Sequence, residues 1–259
     1  MGYFHGRLPV EAADGSELSS FSAPLFTAVP SRPFFPRGFA WDEGFHQLLI
    51  RRWDADIAAD SLAHWMGTLH SCKNKDSTCD GMGWLPREQT LGEEARRRVP
   101  EQFRKQSPAI ANPPTLLLLA DALLKASSTE GKTGAIDMAK LLQLLRPRME
   151  HWLTWLLASQ QPDGQQDAEP VYQWRGRNAD EGKLNPNTLA SGLDDYPRSS
   201  SPGSEERHVD LVAWLAAASG ALGRVAASLG DAEGAELHAG REAALLRTLD
   251  AVRILGVSH

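Results

Sequence analysis

The chain has 259 residues, of which 42% are hydrophobic and 23% charged, and its formal net charge is −6. This balance is ordinary for a globular protein, so we expect one domain or part of a larger one. Basic residues are scattered apart from the run 96–98, which excludes a nucleic-acid footprint. No apolar stretch approaches the about 20 residues that a membrane span needs, and the first residues lack a signal-peptide core.

The first third of the chain predicts an irregular segment followed by two helices. Residues 1–36 are rich in Gly, Ser and Pro, which predicts an irregular lead-in. Apolar residues at helical spacing predict a helix over 44–53 and a second over 56–70, the latter capped by Asp56. The charged segment 71–80 is predicted to be a surface insertion.

The middle of the chain predicts a long loop and two helices. Residues 81–106 are polar and charged, and an ordered loop of that length is unusual unless it has a function. A helix is predicted over 112–126, with Asn112 as its cap, and its nearly all-round apolar composition predicts an inner, buried position. A longer helix is predicted over 135–160, with a bend at Pro147.

Two more helices are predicted over 206–229 and 231–249, after the polar loops 162–182 and 184–198. No stretch predicts a strand, so the predicted fold class is all-α. Inner apolar helices and outer amphipathic ones favour a layered toroid or bundle. The polar residues lie in the loops, as expected where a rigid helical scaffold carries a site.

The loop LNPNTLASGLDDYPR holds two adjacent carboxylates, Asp194 and Asp195, among many hydrogen-bonding side chains. A sugar-cleaving site needs such a set, since an acid must protonate the leaving oxygen while donors and acceptors hold the hydroxyls. The alternative is a polar turn in which either aspartate caps a helix.

The cysteines and histidines predict no metal site. Cys72 and Cys79 are separated by six residues without a histidine, and they could form one loop disulfide or remain free thiols. No pair of histidines has a persuasive ligand spacing. We therefore expect neither a metal nor a cofactor.

Six blocks occur in order along the chain: FFPRGFAWDEGFHQLL, GWLPREQTLGEEARRRVPEQF, ANPPTLLLL, YQWRGR, LNPNTLASGLDDYPR and ERHVDLVAW. Together they resemble the processing alpha-glucosidases I, the mannosyl-oligosaccharide glucosidases of glycoside hydrolase family 63. The resemblance implies an (alpha/alpha)6 toroid, here incomplete, over residues 37–252, with a divergent tail at 253–259. It also implies an inverting enzyme of the endoplasmic reticulum lumen. The expected partner is the glucosylated N-glycan Glc3Man9GlcNAc2, from which the terminal alpha-1,2-linked glucose is removed.

The resemblance also assigns residues. The family's Ser-Gly-x-Asp element implies that Asp194 is the general acid, and the Trp-Asp pair after Pro-Arg-Gly-Phe implies that Trp41 and Asp42 line the glucose pocket. The expected substrate-binding residues are Arg37, Trp41, Asp42, Trp84, Arg87, Glu88, Trp174, Arg175, Asp195, Arg198, Glu206, Arg207 and Asp210.

Two features depart from the family. The segment SCKNKDSTCD is longer than its counterpart, and the Trp-Glu-Gln-Tyr-like segment that carries the inverting base in the family has no match in these residues. We therefore expect the chain alone to hold the acid without the base, and to be inactive and poorly soluble.

Other interpretations stay open. The chain could be a glycan-binding or inert part of the same toroid, or belong to another toroid glycosidase such as a trehalase. The tryptophans could be core aromatics, the arginines surface ion pairs and Asp42 a helix cap. The oligomeric state is not predicted.

Overall fold

The computed structural model describes residues 1–11, 16–18, 22–70, 82–129, 134–162, 171–175, 189–193 and 206–255. The α-helices in these ranges are α1 (Ala40–Ile50), α2 (Ala55–Gly67), α3 (Glu93–Arg97), α4 (Thr115–Thr129), α5 (Met138–Ser159), α6 (Val209–Ser228) and α7 (Ala232–Leu255), and short 3-10 helices span Glu101–Phe103 and Leu189–Ser191. The strands are β1 (Gly2–Arg7), β2 (Val10–Glu11), β3 (Glu17–Leu18), β4 (Ser22–Thr27), β5 (Gly38–Phe39) and β6 (Glu88–Gln89). The protein is mostly helical, as predicted, whereas the toroid remains a prediction.

Helix α2 is capped by Asp54, not by Asp56 as the sequence suggested. The Asp54 carboxylate accepts hydrogen bonds from the backbone N–H groups of Asp56 and Ile57, at 2.9 and 3.1 Å. The Asp56 carboxylate instead accepts from Ala135 and Ile136, ahead of α5. Two aspartates two positions apart both fit a helix start, and only the three-dimensional contacts separate their roles.

Helices α4 and α6 lie in the centre of one hydrophobic core that α2 and α5 complete. Helix α6 is long and apolar enough to cross a membrane by length and composition, and 67% of its most apolar window is buried inside the protein. This corrects the expectation that no stretch of the chain reaches that composition. The packing of α6 against α4, α5 and α7 explains its apolar composition, since a helix that is apolar on most sides is a buried one.

Aspartates cap helices α5 and α7 from the position just before each helix. The Asp137 carboxylate accepts from Lys140 N–H at 3.2 Å, and the Asp231 carboxylate accepts from Gly234 N–H at 3.0 Å. Pro147 lies inside α5, which continues through it as one helix.

The lead-in segment 1–36 is not irregular throughout. Strands β1 and β4 pair antiparallel from Gly2 opposite Thr27 to Arg7 opposite Ser22. β4 packs on α2, so the core supports the hairpin. A two-stranded hairpin is marginal by itself, which explains why local sequence alone did not predict it.

The region predicted as one loop, 81–106, also contains regular structure over its described residues. Strand β6 pairs with β5, placing Phe39 opposite Glu88, and α3 follows. Within the basic run 96–98, Arg97 and Arg98 are exposed and Arg96 is half-buried. The β5–β6 pair brings the start of α1 beside this region.

Candidate active site

Gly192 lies against the indole ring of Trp41. Its φ is 73°, and a Cβ atom added there would approach the ring to 2.7 Å. Gly192 belongs to the turn 189–193, and Asp194 is the first residue after this turn. The turn before the predicted acid therefore packs on the first turn of α1, which carries the predicted sugar-binding pair Trp41 and Asp42.

Asn112 joins this turn to α1. Its Oδ1 accepts a hydrogen bond from the Trp41 backbone N–H, and its Nδ2 donates to the Ala190 carbonyl, both at 2.9 Å. Thr115, at the start of α4, donates from Oγ1 to the Trp41 carbonyl at 2.7 Å. The beginning of α4 thus fixes the beginning of α1 and the turn 189–193 at one point.

An aromatic wall extends from Trp41 toward α6. The Trp41 ring meets Phe45 edge-to-face at 5.5 Å, and Phe45 meets Trp214 at 6.3 Å. Trp41 and Trp214 are half-buried and Phe45 is exposed, as is expected where ring faces remain open to a ligand. Asp42, also half-buried, follows Trp41 in the first turn of α1. Apolar ring faces with a nearby carboxylate suit the C–H face and the hydroxyls of a sugar.

A buried ion-pair cluster lies where α1 begins. Arg37 donates from Nε to Glu88 Oε2 at 2.8 Å, and Arg87 donates from Nη2 to Glu88 Oε1 at 2.6 Å. The Arg37 guanidinium also lies 4.8 Å from the Phe39 ring centroid. The backbone carbonyl of Arg87 accepts from Ala40 N–H at 2.9 Å, which connects the cluster to the first residue of α1.

A second polar cluster lies where α6 begins. Trp174 donates from its indole N–H to Asp210 Oδ2 at 2.9 Å and from its backbone N–H to His208 Nδ1 at 2.8 Å. Because Nδ1 accepts, the ring proton of His208 is on Nε2, which lies 3.3 Å from Glu206 Oε2. Burial raises the pKa of the neighbouring Tyr172 phenol above its ordinary value.

Arg175 is held by the end of α5. Its backbone N–H donates to Gln160 Oε1 at 3.2 Å, its Nε donates to the Ser159 carbonyl at 3.3 Å, and its Nη2 donates to the Gln161 carbonyl. Gln160 in turn donates to the Ala109 carbonyl at 3.2 Å. The segment 171–175 is thereby tied to the residues that precede α4.

Comparison with known proteins decides the family. The family model of the glycosyl hydrolase family 63 C-terminal domain matches residues 1–254. The chain belongs to glycosyl hydrolase family 63. It is 45% identical over 241 residues to a mannosyl-oligosaccharide glucosidase of Arabidopsis thaliana, covering 89% of this chain and 26% of that protein.

Two other family 63 relatives give similar coverage. Alpha-glucosidase 2 of Arabidopsis thaliana is 42% identical over 241 residues, covering 89% of this chain and 29% of its own length. The mannosyl-oligosaccharide glucosidase of Saccharomyces cerevisiae is 30% identical over 303 residues, covering 96% of this chain and 34% of its own length. The chain therefore spans about a quarter to a third of the length of these relatives.

Most of the predicted site residues that the structure describes lie near the N-terminal ends of α1, α4 and α6. Arg37, Arg87 and Glu88 form one cluster, and Trp174, Glu206 and Asp210 belong to another. Asp194, Asp195 and Arg198 lie outside the described residues, as do Cys72 and Cys79.

Some predicted residues have geometry that favours the alternative structural roles. Trp84 and Trp174 are each 1% exposed, and the Trp84 indole N–H donates to the Ile110 carbonyl at 2.9 Å. A sugar cannot stack on rings that protein atoms already cover. Arg207 donates to the carbonyl of the adjacent Glu206 at 3.0 Å, an exposed local contact.

Three residues that hold α1 in place were not predicted from the sequence. Asn112 and Thr115 hold Trp41, although the Asn before two prolines resembled a helix cap. Glu43 is fully buried in α1, where it accepts from Ala28 N–H at 3.0 Å, from Gln47 Nε2 at 2.7 Å and from Ser61 Oγ. No local pattern distinguishes a buried, fully bonded carboxylate from one that merely favours the helix N-terminus.

Proposed function

We propose that this chain carries the acid half of an inverting alpha-glucosidase site, with Asp194 as the general acid. The observation that supports it most is the contact of Gly192 with the Trp41 ring, two residues before Asp194. A general acid must stay protonated near neutral pH, and apolar surroundings raise the pKa of a carboxyl group in that direction.

The chemistry follows from the two carboxylates that inversion needs. Asp194 gives its proton to the glycosidic oxygen as the bond to the sugar breaks, and a second carboxylate activates a water on the opposite face of the ring. The two groups stand roughly 6.5 to 9.5 Å apart so that the water fits between them. We assign no residue of this chain as the base.

The proposed substrate is the terminal alpha-1,2-linked glucose of Glc3Man9GlcNAc2, encountered in the lumen of the endoplasmic reticulum. Two of the relatives reported above carry the name mannosyl-oligosaccharide glucosidase, which supports this choice. Trp41 would take one face of the glucose ring and Asp42 its hydroxyls. Losing a partner of a desolvated carboxylate is costly, so this pair would also provide selectivity.

The test is the substitution Asp194→Asn in the longest natural polypeptide that carries these residues. Glucose release from the triglucosylated glycan should fall by orders of magnitude while glycan binding is retained. Hydrolysis of alpha-glucosyl fluoride should fall far less, because fluoride leaves without a proton. Asp60→Asn, at a carboxylate whose side chain is 57% exposed on α2, is the control. Unchanged glucose release by Asp194→Asn would remove Asp194 from the mechanism.

A further inference from the structure

Asn112 is a buried amide that connects two separate parts of the proposed site. It is 2% exposed, and it lies ahead of α4 rather than on α1 or in the turn 189–193. One end of its amide receives the Trp41 backbone N–H and the other end donates to the Ala190 carbonyl. Both bonds are 2.9 Å long, which is the usual distance for strong N–H···O bonds.

The orientation of this amide is fixed by its partners. A backbone N–H can only donate and a carbonyl can only accept, so Oδ1 must face Trp41 and Nδ2 must face Ala190. Neither an ionised aspartate nor a leucine has both a donor and an acceptor at its end. The position therefore calls for an amide of this length, which a helix cap would not require.

The neighbouring contacts make the connection rigid on the α1 side. Thr115 Oγ1 bonds the Trp41 carbonyl at 2.7 Å, so both polar groups of the Trp41 backbone are held from the start of α4. On the other side, Gly192 rests on the Trp41 ring, and Leu193 N–H donates to Ser191 Oγ at 3.1 Å. Among these contacts, the hydrogen bond from Asn112 to the Ala190 carbonyl is the polar one that joins the start of α1 to the turn 189–193.

We propose that Asn112 is a positioning residue that sets the spacing between the Trp41–Asp42 pair and the turn 189–193. Asp194 directly follows Leu193 in the sequence. A turn held in one position therefore also holds the point from which the chain continues to the proposed acid. This inference rests on the proposed function only for its catalytic consequence. The structural link itself is independent of the reaction.

The catalytic consequence is a loss in turnover rather than in binding. A displacement of about 1 Å in a catalytic group can lower the rate by roughly 100-fold. In the longest natural polypeptide that carries these residues, we expect Asn112→Leu to reduce kcat for the triglucosylated glycan by about 10- to 100-fold, with a much smaller change in KM. Alpha-glucosyl fluoride, whose leaving group needs no proton, should lose far less.

Hydrogen–deuterium exchange of the purified chain tests the link without any activity. Asn112→Leu should increase exchange at Gly192 and Leu193. Thr115→Val, the matched control, removes a bond to the same Trp41 but leaves the Ala190 bond in place. It should increase exchange in the first turn of α1 and leave 189–193 protected. Equal exchange at 189–193 in the two variants, or no increase in Asn112→Leu, would overturn the proposal.

Asn112→Asp provides a second test within one folded protein. Its ionised carboxylate can accept from Trp41 N–H but cannot donate to Ala190, whereas its protonated form regains a donor. Exchange at 189–193, relative to wild type at the same pH, should therefore rise as pH increases. A ratio that does not change with pH would contradict the assigned donor role of the amide.

The two proposals can fail separately. If Asp194→Asn leaves glucose release unchanged, the proposed function fails, and the exchange pattern still decides the role of Asn112. If Asp194→Asn abolishes glucose release and Asn112→Leu lowers kcat for the glycan and for alpha-glucosyl fluoride equally, the positioning role fails although the glucosidase proposal holds.

Discussion

Two glycines of this chain share a left-handed backbone conformation and differ in their surroundings. Gly192 has a φ of 73° and presses on Trp41, whereas Gly230 has a φ of 79° and open space where a Cβ would be. The comparison separates the cost of the conformation from the cost of the contact. The cost of the conformation arises in any L-residue with a positive φ. The cost of the contact arises only where another group, here the Trp41 ring, occupies the space that the Cβ atom would need.

We expect Gly230→Ala to lower the free energy of unfolding by about 1 kcal/mol, from the conformation alone. Gly192→Ala should cost about 1 to 3 kcal/mol more, because the added methyl group must push the Trp41 ring or the turn aside. Urea unfolding of the purified chain, followed by circular dichroism, measures both. Equal losses would mean that the turn 189–193 moves freely away from Trp41.

Asp42 and Trp41 are expected to contribute to glycan binding in different ways. Asp42→Ala should weaken binding by about 1 to 3 kcal/mol, because sugar hydroxyls would lose a charged acceptor. Trp41→Ala should weaken it through lost ring surface. Calorimetric titration with a triglucosylated oligosaccharide measures these changes, and Asp60→Ala is the control. Binding that survives both substitutions unchanged would contradict a pocket at the start of α1.

At this scale the sequence predicted residue types better than residue contacts. The Trp41–Asp42 pair and the Gly before Asp194 were visible in the motifs. The ties made by Asn112 and Thr115 were not, since they join positions more than 70 residues apart. Local patterns carry no information about which distant carbonyl a buried amide will meet, so such residues become visible only when the fold is known.

An ion pair and an imidazole–carboxylate contact connect α5 to the start and the first half of α7. Arg146 donates from Nη1 to Asp231 Oδ2, and His238 Nε2 lies 3.7 Å from Glu150 Oε1. Burial lowers the pKa of His238 below its ordinary value of 6.5, Arg241 and Arg146 lower it further, and Glu150 opposes them. His238 is only 2% exposed, so the folded protein favours its neutral form.

This predicts that stability falls as the pH drops below about 6.5. The unfolded chain then binds a proton at His238 that the folded chain does not, and each such proton lowers the free energy of unfolding by at most about 1.4 kcal/mol per pH unit. Burial lowers the pKa of His70 in the same direction, so part of the slope belongs to that residue.

Urea unfolding between pH 7.5 and 5 should therefore show a smaller slope in His238→Gln than in the wild type. Leu237→Gln, at a neighbouring residue of α7 that does not titrate and is 52% exposed, is the control and should keep the wild-type slope. A His238→Gln protein with the wild-type slope would mean that His238 takes up its proton equally in both states.

Helices were the elements that the sequence predicted best, because strong apolar periodicity survives in any tertiary context. The short strands were missed for an opposite reason. β1 and β4 contain Gly2, Gly6 and Pro24, which disfavour strands, and the hairpin is stabilised by packing on α2. The cap of α2 was placed two residues late because both aspartates satisfy the same local rule.

The whole described molecule has one core and an exposed apolar face on α1. Leu49 and Trp53, at the end of α1 and in the turn after it, are 75% and 82% exposed. Phe45, one turn earlier, is 44% exposed. Spacing of four residues places such side chains on one side of a helix, and contiguous apolar patches on soluble proteins usually take part in contacts.

We therefore expect the isolated chain to self-associate through this face of α1. Sedimentation velocity over a range of micromolar concentrations should show an average mass that rises with concentration. The double variant Leu49→Lys with Trp53→Lys should remain closer to the monomer mass, since two charges repel a second copy of the same face. Leu144→Lys, at a leucine of α5 that is 74% exposed outside this face, is the matched control and should associate like the wild type. If Leu144→Lys lowers association as much as the double variant, the contact depends on net charge and not on the α1 face.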